Sequence, residues 1–269
     1  MAAAGARRKA TAATIAVVCI LAVVPVQTRI DALRAKLMAE RIMPTQMPLA
    51  AAASAALGGF RGLAVDILWI QSDSMLNEKQ FYQLATYYSL ISRLQPNFSS
   101  VWTYNMWNLA FNISAEWSQP DEKWLWIKKG IEFAKEGLEY NPQSEDLNFW
   151  TGWLYFFKIG KDRDPYFAAK LQEEEGIEPF LESYKYFKKA YDIALESGHT
   201  DVRYGSIAML ALVEHGDAVI RRTGNVPEAM QYYSMAEEGT RGLFAQYPND
   251  GALMSLSARI RDTKARFGG

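Results

Sequence analysis

From Phe60 onward apolar residues recur at helical spacing, and no stretch alternates apolar and polar residues between turns as a strand does. The pattern predicts helices over 62–76, 79–94, 99–113, 124–140, 145–157, 179–197, 201–222, 227–247 and 251–266. Residues 114–122 read as an insertion. Residues 160–176 read as a long link, whose 166–175 section adds a helical turn or two. Pro96, Pro142 and Pro248 stop helices, and Gly224-Asn225-Val226-Pro227 marks a turn between two of them. Ser99 and Ser144 stand where an N-cap is expected. The last helix carries Leu253, Leu256 and Ile260 on one face and charge on the other, as the soluble end of a helical array requires.

The N-terminal part is patterned differently. Residues 1–9 form a basic tail with Arg7, Arg8 and Lys9, followed by an uncharged apolar run from Ala10 to Val26. This length lies near the lower limit of a membrane span. The charged and apolar regions also fit a signal peptide. Val24-Pro25-Val26-Gln27-Thr28 is a poor small-x-small cleavage site, so residues 10–28 are read as an uncleaved signal anchor. The basic tail favours a cytoplasmic N-terminus, while Arg29, Arg34, Lys36 and Arg41 beyond the span weaken that bias. The expectation is a single membrane helix with the following domain outside the cytoplasm, in the periplasm if the cell is bacterial. Residues 29–59 form a linker: a short amphipathic helix over 30–42, ended by Pro44 and Pro48, then a small-residue stretch and Gly58-Gly59.

Helix pairs over residues 60–269 end alike: Leu94-Gln95-Pro96-Asn97, Glu139-Tyr140-Asn141-Pro142 and Gln246-Tyr247-Pro248-Asn249. A pair closed by an aromatic or apolar residue and then Pro, recurring along the chain, is a mark of helical repeats. Counting back from these prolines, Leu68, Ser72, Met75, Tyr88 and Ile91 form one register. Trp102, Leu109, Gly130, Ala134 and Gly137 form a second. Gly152 and Tyr155 fall in a third, and Ala236 and Leu243 in the last. These positions resemble the tetratricopeptide repeat (TPR) family, whose unit of about 34 residues alternates large and small residues in such a register. Leu84 departs from the pattern, standing where a small residue is usual, and two units carry insertions. With the anchor and Leu57-Gly58-Gly59-Phe60-Arg61-Gly62, the chain resembles membrane-anchored bacterial repeat proteins. The resemblance implies an all-α, TPR-like α-solenoid of about four helix pairs and a capping helix. Small residues would let paired helices approach, and large ones would fill the gaps between pairs.

In the TPR family the concave face is lined mainly by the first helix of each pair. Carried onto this sequence, that face holds Thr103, Trp107, Ala110 and Phe111 in the second unit, and Phe149, Trp153, Phe156 and Phe157 in the third. Met209 and Val213 fall there in the fourth. Such a stripe is either an aromatic groove for a partner or a buried core. Asn105, Asn108 and Asn112 form a second, polar stripe, which could bond a partner's backbone or satisfy loop carbonyls. Some members clamp a peptide's terminal carboxylate with Lys and Asn. Here those positions carry Thr103, Tyr104 and Trp107, so no such clamp is expected.

Composition narrows the function further. The net charge of −1 and scattered basic pairs such as Lys128-Lys129, Lys188-Lys189 and Arg221-Arg222 argue against nucleic acid. The single cysteine, Cys19, lies inside the apolar run, so neither a disulfide within the chain nor a thiolate metal site is expected. His199 and His215 are too far apart for a helical ligand pair. No phosphate loop and no Gly-x-Ser-x-Gly elbow occurs. Asp121, Glu122, Asp162 and Asp164 lie in inserted loops, where paired catalytic acids would sit, but thirty acidic residues make that uninformative. The expectation is a non-enzymatic protein without cofactor or metal. It would be either a membrane-anchored scaffold for a protein or extended peptide, or a structural subunit of a larger membrane complex.

Overall fold

The computed structural model describes residues 61–161, 165–198 and 201–267, together with Pro25, Thr28 and Arg29. The latter three are helical and exposed, and Thr28 Oγ1 donates to the Pro25 carbonyl at 3.0 Å. The rest of the expected anchor and of the 29–59 linker lies outside the described residues. Among the described residues no helix is long and apolar enough to cross a membrane.

The described chain is all-α, with no strand. It divides into two units, Met1–Gln95 and Pro96–Gly269. In the first unit α1 is Arg61–Asn77 and α2 is Phe81–Leu94. Lys79, with φ of 58°, turns the chain between them. The α2 helix buries Phe81, Leu84, Tyr88 and Ile91 along one stripe, and Tyr88 meets Trp69 of α1 at 6.1 Å between ring centroids. The α1 helix has apolar residues on several sides, interrupted by Asp66 and Asp73. It buries Val65 and Ser72 yet leaves Leu63, Ile67 and Ile70 exposed.

The second unit holds α3 (Ser99–Trp107), α4 (Pro120–Tyr140), α5 (Glu145–Trp153), α6 (Tyr166–Glu175), α7 (Pro179–Glu196), α8 (Val202–Thr223), α9 (Val226–Gln246) and α10 (Gly251–Phe267). Two of these continue as π-helix: α3 through Asn108–Ile113 and α5 through Leu154–Gly160. Ends form where the sequence supplies caps. Ser144 accepts from Leu147 N, and Asn225 accepts from Glu228 N while its side-chain amide donates to the Glu228 carboxylate. Ser99 is instead the first helical residue, after Phe98 at the cap position. The α4 helix begins four residues earlier than its apolar period suggests, because Pro120 serves as a first-turn residue.

In the first unit α1 packs on α2; in the second, α3 packs on α4 and α5, α4 on α5, α7 on α5 and α8, α8 on α9, and α10 on α9 and α8. Small residues set the approach. Gly137 of α4 lies directly under the fully buried Trp102, and Gly130 lies under Ala110. Gly152 of α5 lies under the Phe187 ring. Trp102 Nε1 and Asn141 Nδ2 both donate to the Pro96 carbonyl, at 2.9 and 2.7 Å. This ties the start of α3 to the end of α4. The α6 helix is pinned across α4: Phe167 and Leu171 are buried, while Glu174 accepts from Trp124 Nε1 and Lys128 and Glu175 accepts from Lys135. The helical turn or two expected within the link is therefore a full helix whose acidic end pairs with α4. Leu253, Leu256 and Ile260 of α10 are buried, as its pattern requires.

Candidate functional site

Two helices carry the same device. On α3 the rings of Trp107 and Phe111 stack 4.1 Å apart with 13° between planes. On α5 the rings of Trp153 and Phe157 stack 5.4 Å apart at 10°. Each pair is spaced i, i+4, and in each the Trp ends the α-helix while the Phe lies in the π-helical continuation. Short π segments are rare and concentrate at functional sites. In the first, side chains take up helix carbonyls: Asn108 Nδ2 donates to Tyr104 O, and Ser114 Oγ donates to Ala110 O at 2.6 Å. Such local bonds compete with the regular ladder and loosen its period.

Trp150 joins the pairs. It meets Trp107 edge-on at 5.2 Å, Phe149 at 5.3 Å and Trp153 at 6.4 Å. Phe149 continues the line to Trp153 at 6.2 Å and to Tyr204 of α8 at 5.1 Å. The result is a continuous ridge of six rings: Phe111, Trp107, Trp150, Phe149, Trp153 and Phe157. Phe157 is 53% exposed and the other five are half-buried. Edge-to-face and offset contacts of this kind hold rings in fixed orientation. The Lys158 ammonium lies over the Phe111 ring, 5.6 Å from its centroid.

The expected groove residues therefore divide. Thr103, Trp107, Phe111, Phe149, Trp153 and Phe157 come together on a partly open surface, with Thr103 Oγ1 donating to the Ser99 carbonyl. Phe156 turns inward, 4% exposed, against Phe180 and Phe187. Ala110, Met209 and Val213 are buried as well. Of the polar stripe, Asn105 and Asn108 are buried, while Asn112 is exposed and donates to Asn108 Oδ1 at 2.6 Å. Trp150 is absent from the sequence-derived site. Its spacing was the available signal, because Trp150 stands three residues before Trp153 and so shares its side of a regular helix.

A second constellation lies deeper. Glu214 of α8 is buried and bonded to Lys161 at 2.5 Å and Arg259 of α10 at 2.8 Å. Burial opposes its charge, but hydrogen bonds from Lys161 and Arg259 outweigh this and hold the carboxyl below its ordinary range. Arg259 also bonds Asp217, which accepts from the Tyr233 hydroxyl at 2.7 Å. His215 is buried beside it, its Nδ1 2.8 Å from Glu178 Oε2 and its ring edge-on to Tyr232. Every charge here is paired across helices, which suits a brace between α8 and α10. Asp121 is bonded to the Tyr166 hydroxyl, which raises that hydroxyl to about 12. Asp162, Asp164 and His199 lie outside the described residues. Among the described residues no three His, Cys, Asp or Glu side chains are grouped to hold a metal ion.

Compared with known proteins through family models, through curated sequences and through solved structures, the chain matches none.

Proposed function

We propose that this protein is a membrane-anchored, TPR-like scaffold that holds a protein or extended peptide against the aromatic ridge of α3 and α5. The observation that carries the reading is the ridge itself: six contiguous rings, oriented by one another, on a surface that remains partly open. Contiguous exposed aromatic surface marks interaction sites, and Trp is enriched where binding energy concentrates. Helix pairs closed by glycines beneath large rings support the repeat reading, because a single such pair cannot bury its apolar faces alone. The uncharged run from Ala10 to Val26 supports the anchor.

A second reading is favoured by α1. Its Leu63, Ile67 and Ile70 form an exposed apolar stripe at i, i+4 and i+7. A constitutive subunit of a larger membrane assembly would bury such a stripe against a neighbour. Mild-detergent extraction of the tagged full-length chain, followed by size-exclusion chromatography and mass spectrometry, separates the two. A large particle of fixed stoichiometry supports the subunit reading. A monomer or small oligomer that captures a soluble partner, and loses it on Trp153→Ala or Phe157→Ala, supports the scaffold. Unchanged capture by both variants would overturn the ridge as the site.

A further inference from the structure

The fold brings together basic residues that are far apart in the sequence. Arg221, in the last turn of α8, and Arg266, in the last turn of α10, line one groove between these helices. Its volume is about 630 Å³, and its other lining includes Ser255, Thr263 and Asp262, with Ile220, Ala258 and Phe267 as apolar wall. Arg259 and Asp217 also line it, but they are bonded to each other and Arg259 additionally to Glu214. Arg221, Arg266 and Asp262 make no hydrogen bond or ion pair among the described residues. The groove thus holds two uncommitted guanidinium groups against one uncommitted carboxylate.

The ordinary reading of arginines in a last turn is favourable interaction with the helix C-terminus. That reading explains each one singly but not their meeting, one from each wall, in a groove with room for a ligand. A planar guanidinium matches the oxygens of an oxyanion in bidentate fashion. A carboxylate has two oxygens and is satisfied by one such fork. A tetrahedral phosphate offers oxygens to both walls at once.

We propose that the groove between α8 and α10 binds a phosphate group, free or esterified to a larger body that lies on Ile220, Ala258 and Phe267. Asp262 tempers the site, and the Glu214–Arg259–Asp217 brace holds its two walls in register. This site uses neither α3 nor α5 and does not depend on the ridge.

The test is isothermal titration calorimetry on the full-length chain in neutral detergent at about 150 mM chloride, where loose surface attraction is largely screened. The probes are inorganic phosphate, glycerol 3-phosphate and short-chain phosphatidic acid below its micelle concentration. Saturable binding of one phosphate per chain is expected, weakened about tenfold or more in the Arg221→Ala/Arg266→Ala variant and strengthened in Asp262→Asn. The Arg222→Ala/Arg261→Ala variant removes the same charge outside the groove lining and is expected to bind as the parent does. Equal affinity for all three probes identifies the bare phosphate group as the ligand, and preference for the acyl-bearing probe identifies a lipid headgroup. No saturation with any probe, or equal weakening by the two double variants, overturns the proposal. Arg221 and Arg266 are exposed and uncommitted, so their removal leaves the core intact, which circular dichroism checks.

Discussion

Replacing Gly130 with alanine tests how closely α4 approaches α3. An added methyl would stand 2.7 Å from Ala110 Cβ, 3.1 Å from the Met106 carbonyl oxygen and 3.2 Å from the Ala110 nitrogen. Two of these three obstacles are backbone atoms and cannot rotate away. Overpacking of a tight contact costs roughly 1–3 kcal/mol, and backbone obstruction places this case near the upper end, about 3 kcal/mol. Alanine in a helix interior recovers about 1 kcal/mol relative to glycine. The net expectation is a loss of about 2 kcal/mol, or a fall in Tm of about 4–8 °C for a domain of this size. Gly242 of α9 supplies the control, since an added Cβ there meets nothing within 4 Å. Gly242→Ala should raise stability by about 0.5–1 kcal/mol. Thermal melts followed by circular dichroism read both variants. If Gly130→Ala melts at or above the parent, the close approach of α4 to the π-helical segment is wrong, and with it the role given to small residues between paired helices.

Three further outcomes follow from the structure. Arg259→Ala should cost about 2 kcal/mol by removing its charged hydrogen bonds to buried Glu214 and to Asp217. Because Glu214 titrates below its ordinary 4.5 in the fold, its contribution is full above that value and fades as pH falls through the lower folded value; the variant should therefore lose less stability over that acid range, seen in melts from pH 6 downward. Tyr155 is fully buried, its hydroxyl has no hydrogen-bond partner among the described residues, and burial pushes its pKa up, so Tyr155→Phe should be neutral or stabilising by about 1 kcal/mol in denaturant titration. Phe156→Ala should cost about 3–5 kcal/mol as a core deletion, whereas its neighbour Phe157→Ala should leave the melt within about 1 kcal/mol while reducing capture of a partner.

The helices were legible because their apolar stripes recur at one period and their ends carry Pro, Ser or Asn with a mechanism. The Ser144 cap and the buried face of α10 follow directly from such signals, and the turn expected at 224–227 is closed by Asn225 as a cap. The π segments were not legible, since one extra residue per turn leaves composition unchanged and shows only in the backbone. The α6 helix was half seen: read as a helical turn or two within a long link, it is drawn onto α4 by Trp124, Lys128 and Lys135, 40 to 50 residues earlier in the chain. The Glu214–Arg259 bond spans 45 residues, and no local pattern announces it. The groove that joins Arg221 to Arg266 was invisible for the same reason; Arg221-Arg222 alone reads as a scattered pair.

Whether the aromatic stripe is groove or core had no answer in periodicity, because both place large rings four residues apart. The structure separates them at adjacent positions: Phe156 is buried and Phe157 is 53% exposed. Trp153 stands 46 residues after Trp107, and Phe157 the same distance after Phe111, so two neighbouring helices present equivalent Trp–Phe pairs. Trp150 closes the gap between them edge-on. Rings held by one another lose little freedom when a ligand arrives, so the entropic cost of ordering them is already met in the free protein. A core needs no such repetition on an open face, whereas a surface that must grip a chain crossing from one helix to the next does. Repetition of the pair across α3 and α5, rather than aromatic content alone, is therefore what most supports the proposed binding face.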